Sequence, residues 1–275
     1  MNEELSLEEL QKLAQFVKDR YNYDFRDYAM SSFRRRISRI LELYKLKSVD
    51  DLMQLLERQE HFAEEFVSEI TVNVTEMFRD PTFWESLRND ILPNLFLGKD
   101  QITIWHAGCS SGEEVYSMAM LLREMDLLDR AKIVATDMDR AIIKRAKRGA
   151  YSLKNMDVNQ KNYERIGGKY TIGKYYKEKN GEAVMDETLA QNISFRRHDL
   201  VLGEPFSKFD LVLCRNVMIY FNQHLQNRVL HKLHESLHRY GYLIIGSKES
   251  LIWCDIAYKF IVVNNEEKIY KKIKD

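Results

Sequence analysis

Apolar residues recur at helical spacing through the first third of the chain. Leu7, Leu10, Leu13 and Val17 share one face of a helix, and Ser6 with Glu9 forms a capping-box pattern in front of them. Ser48 with Asp51 opens another helix, which carries Leu52, Leu55 and Leu56. No proline precedes Pro81 and no glycine precedes Gly98, so little here would break a helix. The pattern predicts an all-α N-terminal domain over residues 1–90 with its own apolar faces.

From Ile102 the pattern alternates between short apolar runs and amphipathic stretches. Strands are expected at 102–107, 132–136, 193–198, 209–214 and 242–246, with a last pair at 260–263 and 268–272. Helices are expected at 113–125, 139–149 and 224–238. Such alternation predicts an α/β domain over residues 91–275. Its parallel, doubly wound sheet would end in an antiparallel hairpin turning at Asn264-Asn265. The stretch from Tyr151 to Gln191 departs from this pattern. It is too long for a connection and shows no clear helix, but it contains β-prone tyrosines and the turn pair Asn180-Gly181. It reads as a small β subdomain inserted at 151–192.

Composition narrows the function. The 275 residues are 45% apolar, enough for packed cores, and 42 basic side chains balance 42 acidic ones. Global attraction to nucleic acid or acidic membrane is therefore excluded, and a charged partner must meet a local patch. Cys109, Cys214 and Cys254 show neither metal-ligand spacing nor a disulfide framework, and Cys109 and Cys214 read as small packing residues. No apolar run approaches membrane-spanning length and no signal peptide is evident, so the chain is expected in the cytoplasm, with no membrane insertion.

The candidate chemistry gathers at the expected carboxyl ends of the strands. Ala107-Gly108-Cys109-Ser110-Ser111-Gly112 joins the first strand to a helix, and glycines there allow a cofactor close to the backbone. Glu113 and Glu114 follow. Two carboxylates at a helix start repel phosphate but suit a cationic, ribose-bearing cofactor such as S-adenosylmethionine (SAM). Asp137 ends the second strand, where an acid bonds ribose hydroxyls. Asp139 reads as the N-cap of the next helix. Asp199 is either a loop cap or a partner for the adenine amino group, and Leu200 offers an apolar contact to the ring. Arg215 and Asn216 stand just past the fourth strand. Tyr220 is either an aromatic wall of the site or a core residue, while Met218, Ile219 and Phe221 read as packing. Between the domains, Asn73, Thr75 and Arg79 are polar among apolar neighbours. They form either a helix start capped by Thr75 or a lid in which Arg79 reaches a carboxylate.

Taken together, Asn73-Val-Thr-Glu-Met-Phe-Arg79, Ala107-Gly-Cys-Ser-Ser-Gly-Glu-Glu114, Ala135-Thr-Asp-Met-Asp139 and Cys214-Arg-Asn-Val-Met-Ile-Tyr-Phe221 resemble the CheR family. These are SAM-dependent methyltransferases that esterify glutamates on bacterial chemoreceptors. Gly246-Ser-Lys-Glu-Ser-Leu251 is a weaker fifth match. The resemblance implies an all-α N-terminal domain, a Rossmann-like class I methyltransferase domain and a β subdomain inserted in it. It implies SAM as cofactor, S-adenosylhomocysteine (SAH) as product, and Asn73, Thr75, Arg79, Glu113, Asp137, Asp199, Leu200, Arg215 and Asn216 as the cofactor-binding set. Glu114 stands as the alternative to Glu113. Tyr220 and Arg79 would flank the methyl-transfer site, with Arg215 the alternative partner for a carboxylate. Val115 departs from the proline usual in the family, which should alter helix entry and leave the chemistry intact.

The implied partners are cytoplasmic helices of methyl-accepting chemoreceptors. Those helices are glutamate-rich, and the basic segment around Arg35, Arg36 and Arg39 is complementary; Arg35 and Arg39 lie one helical turn apart. A solvated helix face is the simpler alternative. The segment lacks interleaved stacking aromatics, so no nucleic-acid partner is expected, and the chain is expected to act as a monomer. His231, His234 and His238 should fall near one helix face, but no carboxylate or cysteine set completes a metal site and no metal is expected. Two competing functions are a methyltransferase for small molecules or RNA, and a noncatalytic SAM-sensing module.

Overall fold

The computed structural model describes residues 5–59, 61–71 and 75–275. Ser6 accepts a hydrogen bond from Glu9 N, and the Glu9 carboxylate takes one from Ser6 N, so α1 (Leu7–Tyr21) begins at the expected capping box. After α2 (Met30–Leu43), Ser48 and Asp51 cap α3 (Val49–Arg58) in the same way. With α4 (Phe62–Ile70), these helices close around Leu10, Leu13, Phe33, Ile37, Leu52 and Phe66.

The chain next forms α5 (Pro81–Ser86), a π-helical turn at Leu87–Ile91, and α6 (Leu92–Phe96). Pro81 at the first turn lacks only an N–H that would be unpaired anyway. Phe83, Trp84, Leu87, Ile91 and Leu92 share a core with Ile104 of the sheet, so this stretch packs with the second domain. The expected boundary at residue 90 falls inside the π turn.

Then follow β1 (Ile102–Ala107), α7 (Glu113–Glu124), β2 (Ala131–Asp137) and α8 (Arg140–Arg148). Asp139 caps α8 as expected, with Oδ1 accepting from Ala141 N at 2.7 Å. Next come β3 (Ala150–Ser152), α9 (Met156–Arg165), β4 (Tyr176–Lys179), β5 (Glu182–Met185) and β6 (Ile193–Arg197). The chain ends with β7 (Phe209–Cys214), α10 (Gln223–Glu235), β8 (Leu237–Ile245), β9 (Phe260–Asn264) and β10 (Ile269–Lys272).

Among the described residues one sheet runs β6-β2-β1-β7-β8-β10-β9, parallel from β6 to β8, with β10 antiparallel to both neighbours. Successive side chains of a strand face opposite ways. Thus Trp105, Val212 and Leu243 pack with the N-terminal helices and α10, while Ile104, Leu211 and Ile244 pack with α7 and α5–α6. The winding reverses on either side of β1, so its carboxyl end and that of β7 flank an open crevice.

The insertion is a three-stranded antiparallel sheet, β3-β5-β4. Asn180 and Gly181 both take positive φ, 53° and 76°, between paired Lys179 and Glu182, as an Asn-Gly hairpin turn requires. It also contains a helix, α9, which the apolar pattern did not reveal. Its buried positions include Asn159 and Asn162 as well as Met156 and Tyr163. Three other expectations need correction. The last hairpin turns beyond Asn264, whose Oδ1 accepts from Glu266 N and Glu267 N. His238 lies in β8 and not on the helix, while His234 is buried with Nε2 at 2.8 Å from the Lys274 carbonyl. Thr75 caps no helix, since α5 begins after Asp80.

Candidate active site

The crevice floor is the loop after β1. Gly108 N and Cys109 N donate to Thr136 O at 2.9 and 2.8 Å, which ties the loop to β2. Gly108 has φ 78°, and a Cβ there would stand 2.5 Å from the Val217 side chain, so only glycine fits. Ser110 N and Asp139 N donate to the two carboxylate oxygens of Asp137, at 2.9 and 3.1 Å. Burial pushes the Asp137 pKa up to about 6 against these donors, and neighbouring Asp139 adds to the rise.

Helix α7 leaves Gly112 with its two glutamates facing different ways. Glu114 lines the crevice, with Oε1 2.9 Å from His106 Nδ1 and Oε2 2.9 Å from Arg215 Nη1. Burial would raise its pKa, but the His106 hydrogen bond and the Arg215 charge outweigh this and hold it at about 2. Glu113 accepts from Ser111 Oγ at 2.6 Å and borders an adjoining hollow with Tyr151 and Asn159, which shares Thr75 and Glu76 with the crevice. Of these two alternatives for a cofactor ligand, Glu114 is the one that lines the crevice, since one residue along a helix turns a side chain by more than a quarter circle.

Arg215 is buried between Glu114 and Asp80, with Nη2 at 2.6 Å from Asp80 Oδ2 and its guanidinium 4.0 Å from the Phe83 ring centre. Asn216 follows with φ 60°. Glu249 holds this strained turn: its carboxylate accepts from Met218 N at 2.7 Å, Ile219 N at 3.1 Å, Asn216 N at 3.2 Å and Gly246 N at 2.5 Å. Asp80 and Glu249 join the expected site residues here. Only the weak match at Gly246–Leu251 hinted at Glu249.

On the opposite side, Asp199 Oδ1 accepts from Val201 N and Leu202 N at 2.8 and 3.3 Å, so the loop-cap alternative holds. Asp199 nonetheless lines the crevice, beside apolar Leu200, Met138 and Val201. The roof is the inter-domain segment. Met77 N donates to Asn159 Oδ1 at 3.0 Å, Asn162 donates to Met77 O at 3.1 Å, and Phe78 N donates to Ser117 Oγ at 2.9 Å. With Met77 and Phe78 anchored, Thr75, Glu76 and Arg79 face the crevice. Among the described residues the Arg79 side chain makes no hydrogen bond or ion pair. Asn73 lies outside the described residues.

Tyr220 lines the mouth. Burial raises its pKa, opposed by the nearby charges of Arg36, Arg79 and Arg35. The basic helix starts beside the opening, where Ala29 N at its N-cap donates to Tyr220 O at 2.9 Å. Arg35 is exposed, Arg36 is part-buried, and Arg39 lies 3.7 Å from Glu69. Tyr28 and His198 also line the crevice, and neither stood out in the sequence.

Residues 73–269 match the family model described as CheR methyltransferase, SAM binding domain, and residues 8–71 match the CheR methyltransferase, all-alpha domain. The chain belongs to the CheR methyltransferase family. It is 39% identical over 264 residues to a Pseudomonas putida protein named as a methyltransferase, Cher3, covering 96% of each chain. It is 32% identical over 237 residues to a chemotaxis protein methyltransferase of Listeria monocytogenes, covering 86% of this chain and 87% of the relative. A chemotaxis protein methyltransferase of Borreliella burgdorferi is 31% identical over 265 residues, covering 91% of each. This CheR-family chain is a SAM-dependent methyltransferase, and no helix among its described residues is long and apolar enough to cross a membrane.

The crevice fits that cofactor. An acid at the end of β2 suits a ribose diol, apolar Leu200 and Met138 suit an adenine face, and the Arg79 guanidinium, without a partner among the described residues, suits an amino-acid carboxylate. Its empty space, about 1060 Å³ counting the open mouth, accommodates a ligand of that size.

Proposed function

We propose that this chain transfers the methyl group of SAM to glutamate side-chain carboxylates of bacterial chemoreceptors, forming methyl esters in chemotactic adaptation. The supporting observation is that α2, the helix of Arg35 and Arg36, starts at the mouth of the crevice, where Ala29 N at its N-cap donates to Tyr220 O at 2.9 Å. An acidic helix lying along α2 would bring its glutamates to that mouth. The Listeria and Borreliella relatives, named as chemotaxis protein methyltransferases, support the same reading.

In this reading Thr75, Asp137, Asp199, Leu200 and Asn216 bind the cofactor. Asp137 takes the ribose hydroxyls and Leu200 packs on the adenine. Arg215 is already neutralised by Glu114 and Asp80, so it shapes the site, and Arg79 is left to meet a carboxylate. When bound, SAM supplies a sulfonium methyl carbon, which a carboxylate oxygen takes in line as the carbon–sulfur bond breaks. A glutamate side chain is ionised at neutral pH, with a reference pKa of about 4.3, so no general base is needed. The protein's part is to align and to exclude water, with Tyr220 as one wall.

The test is transfer of radiolabelled methyl from SAM to receptor-containing membranes of the source organism. Base-labile label on receptor-sized bands, released as methanol, would establish a carboxyl methyl ester. Absence of label, despite SAM binding and a receptor that accepts methyl groups, would reject the reading and leave a SAM-sensing role.

A further inference from the structure

The segment just ahead of α2, part of the helical domain, lies against the loop after β7. Ala29 N donates to Tyr220 O and Asn222 N to Asp27 O, both at 2.9 Å, and Tyr28 forms a β-bridge with Phe221. The Tyr28 ring packs edge-on against Phe25 and Phe221, with centroids 5.0 and 5.1 Å apart. These contacts fix the ring, which is only 7% exposed and lines the crevice.

Its hydroxyl is poorly used within the protein. The one hydrogen-bond partner found for it among the described residues is the Met138 sulfur, 3.9 Å away. A thioether is a weak acceptor, and a buried tyrosine hydroxyl ordinarily finds a better one. Burial, together with the charges of Asp199 and Asp137, keeps the phenol protonated and so a donor.

The chemistry of this wall suggests what the hydroxyl serves. As carboxylates, Asp137 and Asp199 offer acceptors and no donor. A nucleoside brings donors to meet them, but it also carries acceptors in its ring nitrogens and ribose oxygens. We propose that Tyr28 binds the adenosine part of the cofactor, its hydroxyl donating to a nucleoside nitrogen or oxygen between Asp137 and Asp199. The helical domain then supplies a cofactor ligand as well as a docking face. Because the ring is held in advance, little freedom is lost when the bond forms.

Tyr28→Phe removes one oxygen and keeps the packing. Calorimetry with SAH on the full chain, wild type first, is the measurement. The variant should bind about three- to tenfold more weakly, the loss expected for one hydrogen bond, while the ligand-free unfolding temperature stays unchanged. Equal affinity would overturn the proposal. Weaker binding together with a lower ligand-free unfolding temperature would also overturn it, by assigning the hydroxyl to the fold. A wild-type chain that binds no SAH would instead remove the cofactor assignment beneath it.

Discussion

Arg215 and Glu114 form an ion pair under the crevice, Nη1 to Oε2 at 2.9 Å, and join the carboxyl end of β7 to the start of α7. Breaking such a pair leaves a charge short of its partner in a dry place. Glu114→Ala should cost about 3 kcal/mol of folding stability, measured by urea denaturation. Glu114 is held at about 2, below its usual 4.5, so its contribution is present above pH 4.5 and lost as pH falls towards 2. Glu114→Gln should flatten that acid limb, and an unchanged limb would sink the coupling.

Asp137 has the opposite sign. Its folded pKa of about 6 lies above the usual 3.8, so it favours the ligand-free fold below pH 3.8 and loses that contribution as pH rises through 6. Ribose hydroxyls donate best to the ionised form, so SAM affinity should weaken as pH drops below about 6. Asp137→Ala should weaken binding by about 1.5–3 kcal/mol and abolish this pH dependence. Calorimetry on either side of that pH checks both, and unchanged affinity rejects the ribose assignment.

Glu249→Ala would strip the acceptor from four backbone N–H groups at once. Each orphaned group costs on the order of 1–3 kcal/mol before relaxation, so a net loss of about 3 kcal/mol is expected. Glu249→Gln keeps one acceptor oxygen and should fall between the variant and wild type. Thermal unfolding of the series decides it; equal stabilities would mean that the turn at Asn216 holds itself.

Arg35→Glu with Arg39→Glu reverses charge on the exposed side of α2, away from the crevice floor. Receptor methylation should fall sharply while SAM affinity stays intact, and wild-type methylation should weaken as salt rises. Equal methylation by the double variant would remove the docking proposal.

What the sequence made legible follows from how each element is stabilised. Strands β1 and β7 are buried on both faces and stand out as apolar runs. The capping boxes of α1 and α3 are local chemistry, readable three residues apart. Helix α9 stayed hidden because two of its inward positions are asparagines that bond Met77, which an apolar period cannot register. Thr75, Arg79, Asp137, Asp199, Leu200, Arg215, Asn216 and Tyr220 do converge on one crevice. Glu113 and Glu114 could not be separated, because the rotation of α7 about its axis is set by packing. Tyr28 and Asp80 enter through contacts more than a hundred residues away in sequence, where spacing carries no signal.

Insertions are usually the exchangeable parts of a fold, trimmed or replaced as partners change. Here Asn159 and Asn162 hold Met77, and Thr75 and Arg79 hang on either side of it. A chimera that takes its insertion from another methyltransferase would lose those two side chains unless the donor carries them. The grip on the methyl donor would then slacken. Positions 77, 159 and 162 form one mechanical unit, although they sit in segments that look independent.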